Sequence, residues 1–232
     1  KRLNIFFGDN GCGKTNILEG ISLISKGRGI RNSNIYNLIK KEENNFLIKN
    51  NLEIQKNKYD IEIFSEEKNN KFKKKIKIND DLSKDSIDFL NQSISFLVFL
   101  PEMERLFQAS PSYRRNFLDR LIFSSRNDYN RLINKYKNSL VERIKILQIN
   151  NLDYDWLNHI EKEICLLGLE IYKLRDFQIK SLNVQLNALK KDHNFQYNVE
   201  LKIKDDFIIN DVNFENYLSN LQKLRDYDKQ KG

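Results

Sequence analysis

Hydrophobic and polar positions change period several times along the 232 residues, and each change marks an element. Residues 3 to 7, Leu-Asn-Ile-Phe-Phe, are a short apolar run that predicts a buried strand. A glycine-rich stretch follows at 8 to 15, and then Ile17, Leu18, Ile21 and Ile24 at helical spacing. Residues 26 to 34 read as a basic loop with two glycines. From about 46 to 79 the period falls to two. Phe46, Ile48, Leu52 and Ile54 flank Asn50-Asn51; Tyr59, Ile61 and Ile63 alternate with Asp60 and Glu62; Phe72, Ile76 and Ile78 alternate with lysines. This predicts three or four antiparallel strands in a meander. Residues 95 to 100 are continuously apolar and predict a strand buried on both faces, stopped by Pro101.

The remainder reads as mostly helical. Ser110-Pro111 predicts a helix start: the serine caps free amides, and proline at the first helical position loses nothing by lacking an N–H. Tyr129, Leu132, Ile133, Tyr136, Leu140, Ile144 and Leu147 mark one helix, broken at Asn150-Asn151. In the next, Leu157, Ile160, Ile164, Leu167, Ile171 and Leu174 step by three and four, the spacing of a coiled-coil seam. Gln178 ends that register, and Leu182, Leu186 and Leu189 resume in a shifted one. Two such helices on a short connection predict a hairpin arm. Residues 195 to 209 return to strand-like alternation, and 214 to 227 look helical.

The glycine-rich stretch carries the chemistry. Gly8-Asp9-Asn10-Gly11-Cys12-Gly13-Lys14-Thr15 matches a phosphate-binding loop at every fixed position, between an apolar strand and an amphipathic helix. The glycines allow backbone conformations and close approaches that a side chain would block. The amides of residues 11 to 15 form an anion nest at a helix N-terminus. Lys14 supplies a point charge for the outer phosphates, and Thr15 a hydroxyl ligand for Mg2+. The expected ligand is a nucleoside triphosphate with magnesium, ATP in the first instance. Asn10 stands beside the terminal phosphate, either placing water or merely tolerating a turn.

Composition narrows the setting. The net charge of +8 admits a nucleic-acid partner, although Lys, Asn and Ile are abundant throughout. Neither a signal peptide nor a run of about 18 apolar residues is present, which argues against a membrane protein. Two cysteines, Cys12 and Cys165, make no disulfide framework or metal cluster, so a reducing cytoplasmic compartment is expected. Candidate DNA contacts are Arg28 and Arg31 in the basic loop, Arg114 and Arg115 at the helix start, and the lysines from 71 to 77, mostly one solvated strand face. Arg114 and Arg115 could instead pair with carboxylates such as Asp119.

A P-loop hydrolase also needs an acidic strand end for magnesium and water. The best apolar run ends in Pro101-Glu102, and Leu218-Ser219-Asn220-Leu221 lacks the glycines of a signature motif. Binding is therefore expected and hydrolysis is left open, as for the N-terminal part of a longer protein.

The loop and its continuation, through Asn16-Ile17-Leu18-Glu19, resemble the RecF family, and related SMC-type ATPases share the first part. Leu100-Pro101-Glu102-Met103 and Ser110-Pro111-Ser112-Tyr113-Arg114-Arg115-Asn116-Phe117-Leu118-Asp119 resemble that family's Pro-containing strand end and its S-P-x-x-R-R-x-F-L-D segment. Asn116 departs from the arginine common there. Leu224-Arg225-Asp226-Tyr227-Asp228 and Gly232 resemble the stretch before the family's G-P-H-R-D-D segment.

The resemblance implies an α/β P-loop NTPase head of ABC/SMC type, with an antiparallel β-meander and a helical lobe carrying a short coiled-coil hairpin. Residues 1–100 would form the ATP-binding lobe, 101–195 the helical lobe, and 196–232 a return to the head. It also implies an ATP- and DNA-binding repair and replication protein acting at single-stranded gaps and junctions. Recombinase loading, the SOS response, RecR- and RecO-type partners and an ATP-dependent homodimer come with it. Alternatives are another SMC-like head, of the overcoming-lysogeny nuclease type, or a nucleotide-binding interaction module without hydrolysis.

Overall fold

The two-residue period of the first half resolves into a three-stranded antiparallel sheet: β1 (Leu47–Ile54), β2 (Asn57–Lys68) and β3 (Lys71–Ile78), in the order β1-β2-β3. The computed structural model describes residues 3–25, 27, 29–31, 33–54, 56–68, 71–126, 128–149, 151–193, 197–204 and 213–231. The register sets Ile48 opposite Ile63, Ile63 opposite Ile76, and Ile61 opposite Ile78. These isoleucines therefore share one face, and Ile61, Ile63, Ile76 and Ile78 are buried there with Leu23, Ile24 and Leu90. The opposite face carries ion pairs: Glu62 bridges Lys49 and Lys77, each at 2.9 Å.

The chain divides into two compact units, Lys1–Pro101 and Glu102–Gly232. In the first, α1 (Lys14–Ser22) and α2 (Lys84–Ser93) accompany the sheet. Sequence periodicity had not marked α2, although Ser83 caps it by accepting from the Ser86 amide. Two expectations fail here. Residues 3–7 and 95–100 are not strands of the sheet, and they are far from buried, with Leu3 86%, Phe7 92% and Phe99 69% exposed. A strand is made by pairing, and the sheet among the described residues is made of β1, β2 and β3. The face of α1 also differs from the apolar stripe. Ile17, Leu18 and Ile21 are exposed, whereas Glu19, Ser22, Leu23 and Ile24 are buried. What packs on a helix decides which face is buried, and hydropathy at four positions does not outweigh it.

The second unit is helical: α3 (Pro111–Ser125), α4 (Tyr129–Leu147), α5 (Tyr154–His193), α6 (Phe214–Lys223) and α7 (Arg225–Lys231). Ser110 caps α3 by accepting the Tyr113 amide, with Pro111 in the first turn. Helices α4 and α5 form the expected antiparallel hairpin. Leu157, Ile160, Ile164, Leu167 and Ile171 are all buried along its seam. Helix α5 is continuous over 40 residues, about 60 Å at 1.5 Å per residue. Beyond Leu174 its neighbour is not a coiled-coil partner. Asn183 holds the segment 197–204 by exchanging two bonds with Leu201, 2.9 Å to its carbonyl and 2.8 Å from its amide. Of the strand expected at 195–209, the described residues 197–204 are not a strand of the sheet and are tied to α5 at Leu201; 195, 196 and 205–209 lie outside the described residues.

Candidate functional site

The loop that precedes α1 is built on left-handed backbone. Gly8 has φ 148°, Gly11 90° and Gly13 94°, conformations that L side chains rarely adopt. A Cβ on Gly8 would stand 3.0 Å from Cys12 Sγ, so the loop also closes on itself there. Nothing lies within 4 Å of where a Cβ would be on Gly11 or Gly13, and the space in front of both is open. Gly13 occupies the N-cap of α1 without any side-chain cap, unlike Ser83, Ser110 and Asn213 at α2, α3 and α6. The first-turn amides of α1 thereby keep donors that helix geometry cannot satisfy. The Lys14 ammonium folds over the loop, donating to the Gly8 carbonyl at 2.7 Å and the Asp9 carbonyl at 2.8 Å. Its charge sits beside those donors. Glycine conformations, open space, uncapped amides and one exposed cation together fit a chain of phosphate groups.

The other sequence candidates fall in different places. Arg28 lies outside the described residues. Arg31 is exposed, and its backbone amide donates to Glu19 Oε2 at 3.2 Å. Arg114 and Arg115 share the first turn of α3 but do not pair with Asp119. Arg114 donates to the Phe107 and Ala109 carbonyls, and Arg115 to Ser112 Oγ. Asp119 is held instead by Arg175, through two bonds of 2.8 and 2.9 Å, and by the Tyr129 hydroxyl at 2.6 Å. Burial, and then the bond to Asp119, push the Tyr129 phenol well above its usual pKa. Asp119 is therefore a structural tie from α3 to α4 and α5. Arg114 and Arg115 line an open groove of about 790 Å³ with Phe107, Arg175, Lys202 and Lys204. Sequence reasoning missed Lys202 and Lys204, because the run around them reads as an ordinary strand.

The lysine run of β3 is less free than its sequence suggests. Lys75 and Lys77 are in ion pairs with Glu66, and with Glu62 and Asp80. Lys74 points to the core side and caps the end of α1, donating to the carbonyls of Leu23 (3.0 Å) and Ser25 (2.7 Å). Burial brings its ammonium down to about 8.

No family model matches the chain. Curated relatives do. The DNA replication and repair protein RecF of Rickettsia felis is 31% identical over 220 residues, which are 92% of this chain and 59% of that protein. RecF of Rickettsia typhi is 37% identical over 161 residues, 69% of this chain and 43% of the relative. That of Rhizobium rhizogenes is 31% identical over 166 residues, 71% and 44% respectively.

The chain belongs to the RecF family.

It spans 59% of the length of the Rickettsia felis RecF. The fold agrees. A solved structure of the recombination mediator protein RecF-ATPrS in the RecFOR pathway aligns with a TM-score of 0.75 over 97% of this chain and 62% of that one, at 24% identity. A second, of RecF-ATP, gives 0.72 over 96% and 61%, also at 24% identity. The α/β, ABC/SMC-type RecF head is thus the fold of this chain, with the β-meander and helical hairpin as its described parts. Among the described residues no helix is long and apolar enough to cross a membrane, and no cluster of His, Cys, Asp or Glu is arranged to hold a metal.

Proposed function

We propose that residues 8 to 15 bind the triphosphate of ATP, and that the protein works as a nucleotide-controlled DNA repair and replication factor of the RecF type. The observation that carries this is the loop itself: three glycines at positive φ before an uncapped helix, with Lys14 folded across them. The amides of residues 11 to 15 take the inner phosphates, Lys14 swings from the Gly8 and Asp9 carbonyls to the outer ones, and Thr15 holds Mg2+. Gly8 to Thr15 are thus the nucleotide residues. Solved RecF chains of the same fold carry ATP and ATPrS, which supports the choice of base.

DNA is the polyanionic partner in this reading. The groove with Arg114, Arg115, Lys202 and Lys204, and the exposed Arg31, support backbone-led contact without base readout. Cytoplasmic location, an ATP-dependent homodimer, RecO- and RecR-type partners and recombinase loading at single-stranded gaps complete the proposal, the partners supported by the RecFOR setting of the solved neighbours. Titration of fluorescent ATP with and without Mg2+ tests it. Wild type binds and Lys14→Met binds at least ten times more weakly, about one charge-assisted hydrogen bond. Equal binding by the two would refute the assignment.

A further inference from the structure

Glu19 is an acid in an unusual place. It lies on α1, downstream of Lys14 and Thr15, with 3% of its surface exposed. Its Oε2 accepts the backbone N–H of Arg31 at 3.2 Å. Its Oε1 is buried with no hydrogen-bond partner among the described residues. Gly29, at φ 78°, passes so close that a Cβ there would stand 2.1 Å from Oε1. Ser22, 5% exposed, works beside it: its hydroxyl donates to the Glu19 carbonyl at 2.7 Å and accepts the Ile30 amide at 3.0 Å. Two consecutive amides of the basic loop are thus held by two buried side chains of the helix that begins at the phosphate loop. The Arg31 side chain is exposed beyond them.

We infer that Glu19 and Ser22 couple the phosphate loop to the basic loop behind it, so that filling the nucleotide site changes how residues 29–31 present Arg31. This rests on the nucleotide reading of residues 8 to 15. Three features support transmission. The helix between the two sites is short, 9 residues, so a shift at its first turn reaches its last. The loop hangs on the helix by side chains of that helix. The unsatisfied Oε1 also leaves the present arrangement short of its best hydrogen bonding, so a rearranged loop that supplied a donor would be favoured. Glu19 is a positioning residue in this scheme and touches neither nucleotide nor DNA. By linkage, an anion bound at Arg31 would alter nucleotide affinity by the same factor.

Amide hydrogen exchange at residues 30 and 31, measured on the 232-residue chain with and without saturating Mg-ATP, tests the coupling. ATP binding is titrated on the same samples. In wild type both amides are slow, and ATP changes their rates. Glu19→Ala raises exchange at Arg31 about tenfold, the effect of losing one hydrogen bond to a charged acceptor. It still binds ATP, but its loop no longer responds. Glu19→Gln keeps an acceptor and restores part of the response. Gly29→Ala drives a methyl into Glu19 and must release the loop with the carboxylate intact, which covers the case of an unfolded Glu19→Ala. The inference is overturned if wild type binds ATP with no change at residues 30 and 31, or if Glu19→Ala responds as wild type does. Failure of wild type to bind ATP at all would bring down the nucleotide reading and the coupling with it, a result the titration shows separately.

Discussion

Replacing Glu161 by Gln is expected to destabilise the helical unit severely, although nothing on the surface changes. Glu161 is fully buried on α5 and accepts from Arg143 Nε at 3.0 Å, Arg225 Nε at 3.1 Å and Arg225 Nη2 at 2.5 Å. It is the anion between two cations brought from α4 and α7. Breaking a buried ion pair from one side costs about 3–5 kcal/mol, because the remaining charge is stranded. The low end applies here. Arg143 keeps Asp228 (2.7 Å) and the Leu221 carbonyl (2.8 Å), and Arg225 keeps Asn158. About 3 kcal/mol, at a urea dependence of about 2 kcal/mol per molar, moves the unfolding midpoint by about 1.5 M. Trp156, the single tryptophan, lies on α5 and reports this unit by fluorescence. Asp176 is the internal control: its ion pair with Lys180 on α5 is at the surface, and Asp176→Ala should cost under about 1 kcal/mol. If the two variants shifted the midpoint equally, the buried network would not be what joins α4, α5 and α7.

Two further outcomes follow from particular contacts. Gly168→Ala places a methyl 2.6 Å from Tyr217 Cε1, where α5 and α6 touch, and should cost about 1–3 kcal/mol by thermal unfolding; an unchanged melting temperature would show that Tyr217 moves freely aside. Lys74 falls from 10.5 to about 8 through burial. Its folded pKa lies below its unfolded one, so between about pH 8 and 10.5 the unfolded chain binds more protons and stability should rise with pH. Below about 8 the burial cost on its charge is fully present. Lys74→Met should flatten this rise in urea titrations followed by circular dichroism, because it removes the buried ammonium that titrates in this range. An unaltered pH profile would contradict the burial argument.

The parts legible in sequence were those whose signal is local. The meander follows from alternation at Ile61, Ile63, Ile76 and Ile78, the α3 start from Ser110-Pro111, and the hairpin seam from Leu157 to Ile171. The left-handed backbone before α1 follows from glycines at set spacings, because few other residues adopt the conformations of Gly8, Gly11 and Gly13. What was not legible depends on partners distant in sequence. Residues 3–7 and 95–100 have strand composition, but strands need neighbours. Glu19 and Ser22 read as the polar side of α1 and are buried because residues 29–31 lie over them. Asp119 was a plausible mate for Arg114 and is taken by Arg175, 56 residues away. Lys74 looks like one more solvated lysine and is the cap of α1.

The central claim is that the loop from Gly8 to Thr15 grips phosphates rather than adenosine. Competition against bound fluorescent ATP tests that most directly, with ATP, ADP, inorganic triphosphate and adenosine as competitors. The account predicts that ATP, ADP and triphosphate displace the probe in the presence of Mg2+, that adenosine does not, and that Thr15→Ala loses most of the Mg2+ dependence. Displacement by adenosine as effective as by ATP, or full binding retained by Lys14→Met, would contradict it.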